Sequence, residues 1–167
     1  MDEETTLHFF CGKMAAGKST RAKLLAEEKK AILLSEDEWL ITLYPEEIID
    51  ISGYVQYSSR LKNIMSQHVL GLLNHDISVV MDFPANTIKQ REWFREIFEK
   101  AKVNHLLHFI DVSDEVCKKQ LLKRNSAKPE GAPFTSEAEF DAITQYFKTP
   151  TESEGFIILR YEGGNNL

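Results

Sequence analysis

Apolar residues along this chain fall into short unbroken runs, separated by stretches in which they recur every three or four positions. The runs lie at residues 7–11, 31–34, 77–82, 105–112 and 156–159, each short enough for a strand with both faces covered. Between them the spacing changes to a helical one. Ala22, Leu25 and Ala26 share a face in 19–29, and Tyr57, Leu61, Ile64, Met65, Val69, Leu72 and Leu73 form a stripe along 54–74. Phe94, Ile97, Phe98 and Ala101 do the same in a helix opened by Thr87, and Val116, Leu121 and Leu122 in one opened by Ser113 and running to Arg124. Ser35 is placed to cap a short helix that Pro45 ends, with 46–53 an irregular connection. Ser136 and Glu139 make a capping box for a last helix reaching about residue 147, and 162–167 form a polar tail. Strand and helix alternate throughout, which predicts an α/β domain with five parallel strands covered on both faces. Ligands of such sheets bind beyond the carboxyl ends of the strands.

One of those ends carries chemistry. Gly12, Lys13, Met14, Ala15, Ala16, Gly17, Lys18, Ser19 and Thr20 follow the first strand and enter the first helix, and they fit G-x-x-x-x-G-K-[ST]. In that phosphate-binding loop (Walker A) the glycines let successive N–H groups turn toward one anion. The lysine reaches the β- and γ-phosphates, and the serine hydroxyl ligates Mg²⁺. The strand–loop–helix frame that this motif requires is the one the pattern predicts.

Two carboxylates fall at the same edge. Asp82 closes the third apolar run, where a carboxylate holds Mg²⁺ directly or through water; the alternative is a cap for the turn Pro84-Ala85-Asn86. Asp37 stands just past the second strand, either as the base that takes a proton from an acceptor hydroxyl or as a helix first-turn acid favoured by the dipole. Its neighbours Glu36 and Glu38 compete for the same role. The segment 125–134, with two prolines and a glycine, reads as part of a lid spanning about 125–147. Arg124 at its hinge either contacts the nucleotide or is a solvated surface arginine. Arg91 has an anion-clamping and a structural reading, Trp39 is a candidate acceptor-pocket wall, and Trp93 is read as core. Lys118, Lys119 and Lys123 read as the wet face of their helix.

Composition narrows the class. The 167 residues suit one domain, and a net charge of −6 with pI near 5.4 disfavours an extended nucleic-acid surface. Cys11 and Cys117 give no disulfide framework, the start of the chain has neither the basic nor the apolar part of a signal peptide, and no apolar run is long enough to span a membrane. These features together predict a cytoplasmic protein. The five histidines show no metal-ligand spacing.

With the Gly12-to-Ser19 loop, the segment from Ser35 to Leu40 and the Asp82 strand in hand, the chain resembles the small P-loop kinases over roughly residues 6–160. The likeness is to an AAA-type predicted kinase family, and to polynucleotide 5′-hydroxyl kinases, chloramphenicol phosphotransferase and zeta-toxin kinases. The resemblance implies a nucleoside-monophosphate-kinase-like three-layer sandwich with strand order 2-3-1-4-5 and a helical lid. By the same likeness Asp37 is the acceptor-activating base, Asp82 the Mg²⁺-associated acid and Arg124 a lid arginine. The chain departs from the polynucleotide kinases in having Glu38, Trp39 and Leu40 where an arginine follows the catalytic aspartate, and its lid segment is poor in arginine. The expectation is therefore an ATP-dependent, Mg²⁺-requiring phosphotransferase acting on a small-molecule hydroxyl, with catalytic Asp37, Lys18 and Arg124 and metal ligands Ser19 and Asp82. ATP is preferred to GTP because the family likeness implies it and no N-K-x-D guanine motif is present. The rivals are a 5′-hydroxyl polynucleotide kinase and a nucleotide-binding switch or weak ATPase acting through a partner.

Overall fold

A computed structural model describes residues 3–129 and 135–162. The end of the Pro/Gly segment and the tail beyond Glu162 lie outside the described residues. The elements run β1 (Thr6–Cys11), α1 (Lys18–Lys29), β2 (Ile32–Ser35), α2 (Glu36–Leu43), α3 (Ile51–Asn74), β3 (Val79–Pro84), α4 (Ile88–Ala101), β4 (Asn104–Asp111), α5 (Asp114–Ser126), α6 (Glu137–Thr144), a 3₁₀ turn at Glu152–Glu154, and β5 (Ile158–Glu162). The strands form one parallel sheet in the order β2-β3-β1-β4-β5. The order expected from the family resemblance is thus the one observed.

Side-chain alternation along β1 divides the core into two layers. Leu7, Phe9 and Cys11 face one side, where Leu61, Met65, Val69 and Leu73 of α3 and Phe94, Ile97 and Phe98 of α4 pack onto the sheet. Phe10 faces the other, with Ala22 and Ala26 of α1, Cys117 and Leu121 of α5 and Phe140 of α6. Phe9 stacks on Phe94 with centroids 4.5 Å apart, and Trp93 packs edge-on to Phe94, in keeping with its core reading. Buried polar groups in the second layer are paired. His8 Nδ1 lies 3.0 Å from His108 Nε2, and His108 Nδ1 lies 2.8 Å from the Tyr161 hydroxyl. Burial pushes these imidazoles down to about 4 and about 3, so both are neutral members of the core at physiological pH.

Several boundaries differ from those read in the sequence, and four of the differences have a clear local reason. The third strand does not end at Asp82 but continues to Pro84, because Phe83 is buried and Pro84 pairs with Phe10 after a register shift between Phe9 and Phe10. Proline is tolerated at this strand end, where its missing N–H breaks no interior ladder. Helix α3 starts at Ile51, earlier than its apolar stripe, since the Asp50 carboxylate accepts a 2.7 Å hydrogen bond from the Gly53 amide and caps it. The last strand is shifted to 158–162, because β5 is an edge strand with mostly exposed side chains and the apolar run marks only its approach. Helix α6 stops at Thr144, and the chain then turns back so that Phe147 meets Phe109 at 6.4 Å. The Ser35, Ser113 and Ser136 caps form as expected. Lys118, read as wet surface, binds Glu137 and Asp141 of α6.

Arg91 is structural. It is fully buried, with Nε 2.7 Å and Nη2 3.3 Å from the Glu154 carboxylate and Nη1 donating to the Ala85 carbonyl at 2.9 Å. The anion-clamp reading fails because every face of the guanidinium is already engaged by protein. Burial raises the Glu154 carboxyl, and the hydrogen bonds it accepts from Arg91 and from the Thr151 backbone N–H together more than reverse this, holding it below the usual glutamate value. Arg91→Ala is expected to cost about 3–5 kcal/mol of unfolding free energy, measured by urea denaturation, because it strands Glu154. The stabilisation from a depressed carboxyl is complete above the unfolded-state glutamate value and lost as pH falls through the folded one. Acid unfolding of the wild type should therefore be steeper there than that of Arg91→Ala.

Candidate functional site

The loop after β1 is shaped by close approach and by two left-handed residues. A Cβ on Gly12 would lie 3.2 Å from the Ile110 carbonyl oxygen and 3.3 Å from Lys18 Cγ, so a side chain there would push β4 and Lys18 away. Ala15 and Gly17 have φ of 61° and 104°. Ala15 and Ala16 are buried in the α1–α5–α6 layer and anchor the loop there, with the partly buried Met14 packed against the same layer. Gly17 caps α1 with no side-chain hydrogen bond, which leaves the first amides of the helix without a side-chain acceptor. Ser19 and Thr20 are exposed on the first turn. Lys18 turns back over the loop, donating to the carbonyl of Gly12 and, at 3.1 Å, to that of Lys13. Burial pulls its ammonium below the ordinary lysine value, opposed by the carboxylates of Asp82 and Asp37.

Two contacts at this loop had no sequence signal of their own. The Gly12 amide donates to Asn86 Oδ1 at 2.9 Å, and the Asn86 amide in turn donates to Gln90 Oε1 at 2.8 Å. The end of β1 is thereby tied to the start of α4. Asn86 reads in sequence as an ordinary turn residue, and only its place past a buried strand hinted at more. Lys13 pairs with Asp114 at 2.6 Å and lies 5.5 Å over the Phe147 ring.

The carboxylates converge through strand register. Ser35 of β2 pairs with Asp82 of β3, so Asp37, two residues further on, is set down beside the Asp82 position. Partial removal from water and the Asp82 charge hold the Asp37 carboxyl above its usual range, against the pull of Lys18 and Arg124. Asp37, Asp82, Lys18 and Arg124 therefore share one electrostatic field, although they come from α2, β3, α1 and α5. Arg124 itself is exposed in the last turn of α5.

The contest between neighbouring acids resolves in geometry. Glu36 points inward and is 2 % exposed, accepting hydrogen bonds from the Tyr54 hydroxyl and, at 2.8 Å, from Ser58 Oγ. Asp37 instead lines a cavity of about 190 Å³ together with Leu40, Ile41, Tyr44, Pro45, Ile48 and Tyr54. Trp39 lines a different hollow, with Ile64, Met65, Gln67 and His68, and is not a wall of the Asp37 cavity. The helical turn places it on the opposite side of α2. Among the described residues no group of three or more His, Cys, Asp or Glu side chains is arranged to hold a metal.

A parallel sheet in this order, with a Gly-Lys-Ser loop between β1 and α1, defines a three-layer P-loop NTPase fold. The chain belongs to an AAA domain family, whose profile matches residues 7–150. No protein of curated function matches it in sequence. Among solved structures it is similar to a kinase-like protein of Chloroflexus aurantiacus, with TM-score 0.72, 18% identity, and coverage of 95% of this chain and 85% of that one. It is also similar to the APS kinase CysC of Mycobacterium tuberculosis, solved with AMPPNP and APS (TM-score 0.62, 18% identity, 94% and 88% coverage). A third similar structure is Kti12 of Chaetomium thermophilum, solved with ADP-AlF₃ (TM-score 0.63, 15% identity, 93% and 89% coverage). These likenesses establish the P-loop kinase fold. No helix among the described residues is long and apolar enough to cross a membrane.

In Asp82→Asn the Asp37 carboxyl should titrate closer to its ordinary range, because the like charge is gone. Carboxyl carbon-13 NMR of the metal-free protein reads this directly, and an unmoved midpoint would show that the two acids do not face each other.

Proposed function

We propose that this chain is a phosphotransferase that moves the γ-phosphoryl group of ATP to a hydroxyl of a small molecule. The observation that carries this reading is the placement of Asp37 in the lining of a cavity, within the field of Lys18, Asp82 and Arg124. A nucleotide switch needs the loop but has no use for a partly desolvated carboxylate facing an open cavity. The nucleotides held by the similar APS kinase and Kti12 structures support ATP as the donor.

In this reading the loop amides from Gly12 to Thr20 cradle the phosphates, and Lys18 exchanges the carbonyls of Gly12 and Lys13 for phosphate oxygens. Ser19 and Asp82 would hold Mg²⁺, which neutralises charge on the β- and γ-phosphates when bound. Asp37 orients the acceptor hydroxyl and takes its proton as the oxygen bonds to the γ-phosphorus. The bond from that phosphorus to the bridging oxygen breaks, and ADP leaves. Arg124 offsets charge on the transferred group. Catalysis is then mainly positioning and charge compensation. The whole chain is taken as one kinase domain working in the cytoplasm.

Lys18→Ala should abolish measurable ATP binding, assayed by calorimetry. Asp37→Asn should keep ATP affinity within about twofold and lower phosphoryl transfer about a hundred- to ten-thousand-fold, the range that general-base catalysis supplies. Glu36→Gln, whose oxygen accepts from one of the Tyr54 and Ser58 hydroxyls while its NH2 donates to the other, removes the buried charge, and it should retain transfer and melt no lower than the wild type. Since burial raises the Asp37 carboxyl, the acid limb of the rate profile should lie above the ordinary aspartate range, activity falling as pH drops through it. ATP hydrolysis unaffected by any hydroxyl compound and by Asp37→Asn would favour the switch instead.

A further inference from the structure

The acceptor cavity differs from the phosphate side of the site in one respect: none of its seven described lining residues carries a positive charge. Leu40, Ile41, the Tyr44 ring, Pro45 and Ile48 give it apolar walls, and its polar side-chain groups are Asp37, the Tyr44 hydroxyl and the Tyr54 hydroxyl, the last already donating to Glu36. Tyr44 is braced against Tyr57 of α3 with centroids 4.3 Å apart, which makes one wall a fixed aromatic surface. The chain that builds the cavity extends this pattern. Residues 31–59 contain no lysine or arginine, and they carry Glu36, Asp37, Glu38, Glu46, Glu47 and Asp50.

The nearest cations are committed elsewhere. Lys18 sits on the carbonyls of its own loop, and in the reading above it and Arg124 serve the ATP phosphates. Lys62 lies over the Trp93 ring at 5.5 Å and acts on buried Glu36, while Arg60 covers Tyr57 at 5.2 Å. An acceptor bearing a phosphate, sulfate or carboxylate would bring that charge against an apolar wall and a set of like charges, with no cation in the described lining to offset its lost hydration. Resting on the phosphotransferase reading, we infer that the acceptor is a hydroxyl compound with an apolar, flat or aliphatic body and no anionic group. This excludes nucleotides, sugar phosphates and nucleic-acid ends as acceptors. A volume of about 190 Å³ falls below the range of about 300 Å³ and upward typical of drug-sized sites, so the cavity takes a small alcohol or the hydroxyl-bearing end of a larger one.

Three probes that share one hydroxymethyl-arene body separate charge from shape: para-methylbenzyl alcohol, para-(aminomethyl)benzyl alcohol and para-(hydroxymethyl)benzoate. Each is titrated into the isotope-labelled full chain at low salt, with ATP affinity measured on the same samples. The neutral and cationic probes should bind at least about tenfold more tightly than the benzoate and shift signals of Ile41, Tyr44 and Ile48. Ile41→Arg adds a base at a wall residue that is 70% exposed, and it should narrow or invert that preference. Benzoate binding equal to or tighter than that of the neutral alcohol overturns the inference, as does the absence of cavity shifts with all three. A chain that binds ATP through Lys18 yet prefers benzoate loses this inference and keeps the kinase reading. One that selects the alcohols but binds no ATP loses the kinase reading and keeps the cavity's preference.

Discussion

The working edge of this protein depends on the hydrogen-bonded register of β3, which lies between β2 and β1. On one side Ser35 is matched to Asp82, and on the other Phe10 is matched to Pro84. The first pairing sets Asp37 beside Asp82, and the second sets the phosphate loop beside the residues that follow β3. Because parallel strands point the same way, all three chain exits open on one side of the sheet. A slip of one residue would turn Asp82 to the opposite face and bury or expose the wrong half of the strand. The burial of Val79, Val80, Met81 and Phe83 is what forbids that slip.

Charge at this edge is divided between groups held still and groups left free to act. Glu36 and Arg91 are buried and have their hydrogen-bonding capacity taken up within the fold. Burial likewise pushes the Cys11 thiol, beneath the loop, up to about 12, so it stays neutral next to Lys18. Asp37 and Arg124, by contrast, are exposed at the surface. Elements that fix the site and elements that serve it are thus adjacent in sequence, as Glu36 and Asp37 show, but opposite in orientation.

Most of the sheet was legible from the chain because parallel strands buried on both faces are written as continuous apolar runs. The loop was legible because its motif couples residue type to spacing. The strand order came from family likeness and not from periodicity. What the pattern missed has physical causes. Edge strand β5 lacks an apolar signature, and α3 gains its first turn from the Asp50 cap and not from its stripe. Arg91 has the same sequence appearance whether it faces an anion or Glu154, since only tertiary packing tells the two apart. Asn86 is silent for a similar reason: its role lies in a hydrogen bond to a residue 74 positions earlier.

The sheet has no pair of strands joined by a hairpin, and that shapes how the protein comes into being. β1 has both of its partners, β3 and β4, far along the chain, with Leu7 paired to Val79 and to His105. During synthesis the phosphate loop therefore leaves the ribosome before β3 and β4 and has no sheet to hold it until they have followed. Its apolar flank, Leu7, Phe9 and Phe10, waits uncovered through that interval, and the long-range closures it awaits are the slow kind. The first part of the site to be made thus takes shape only once strands made much later are in place.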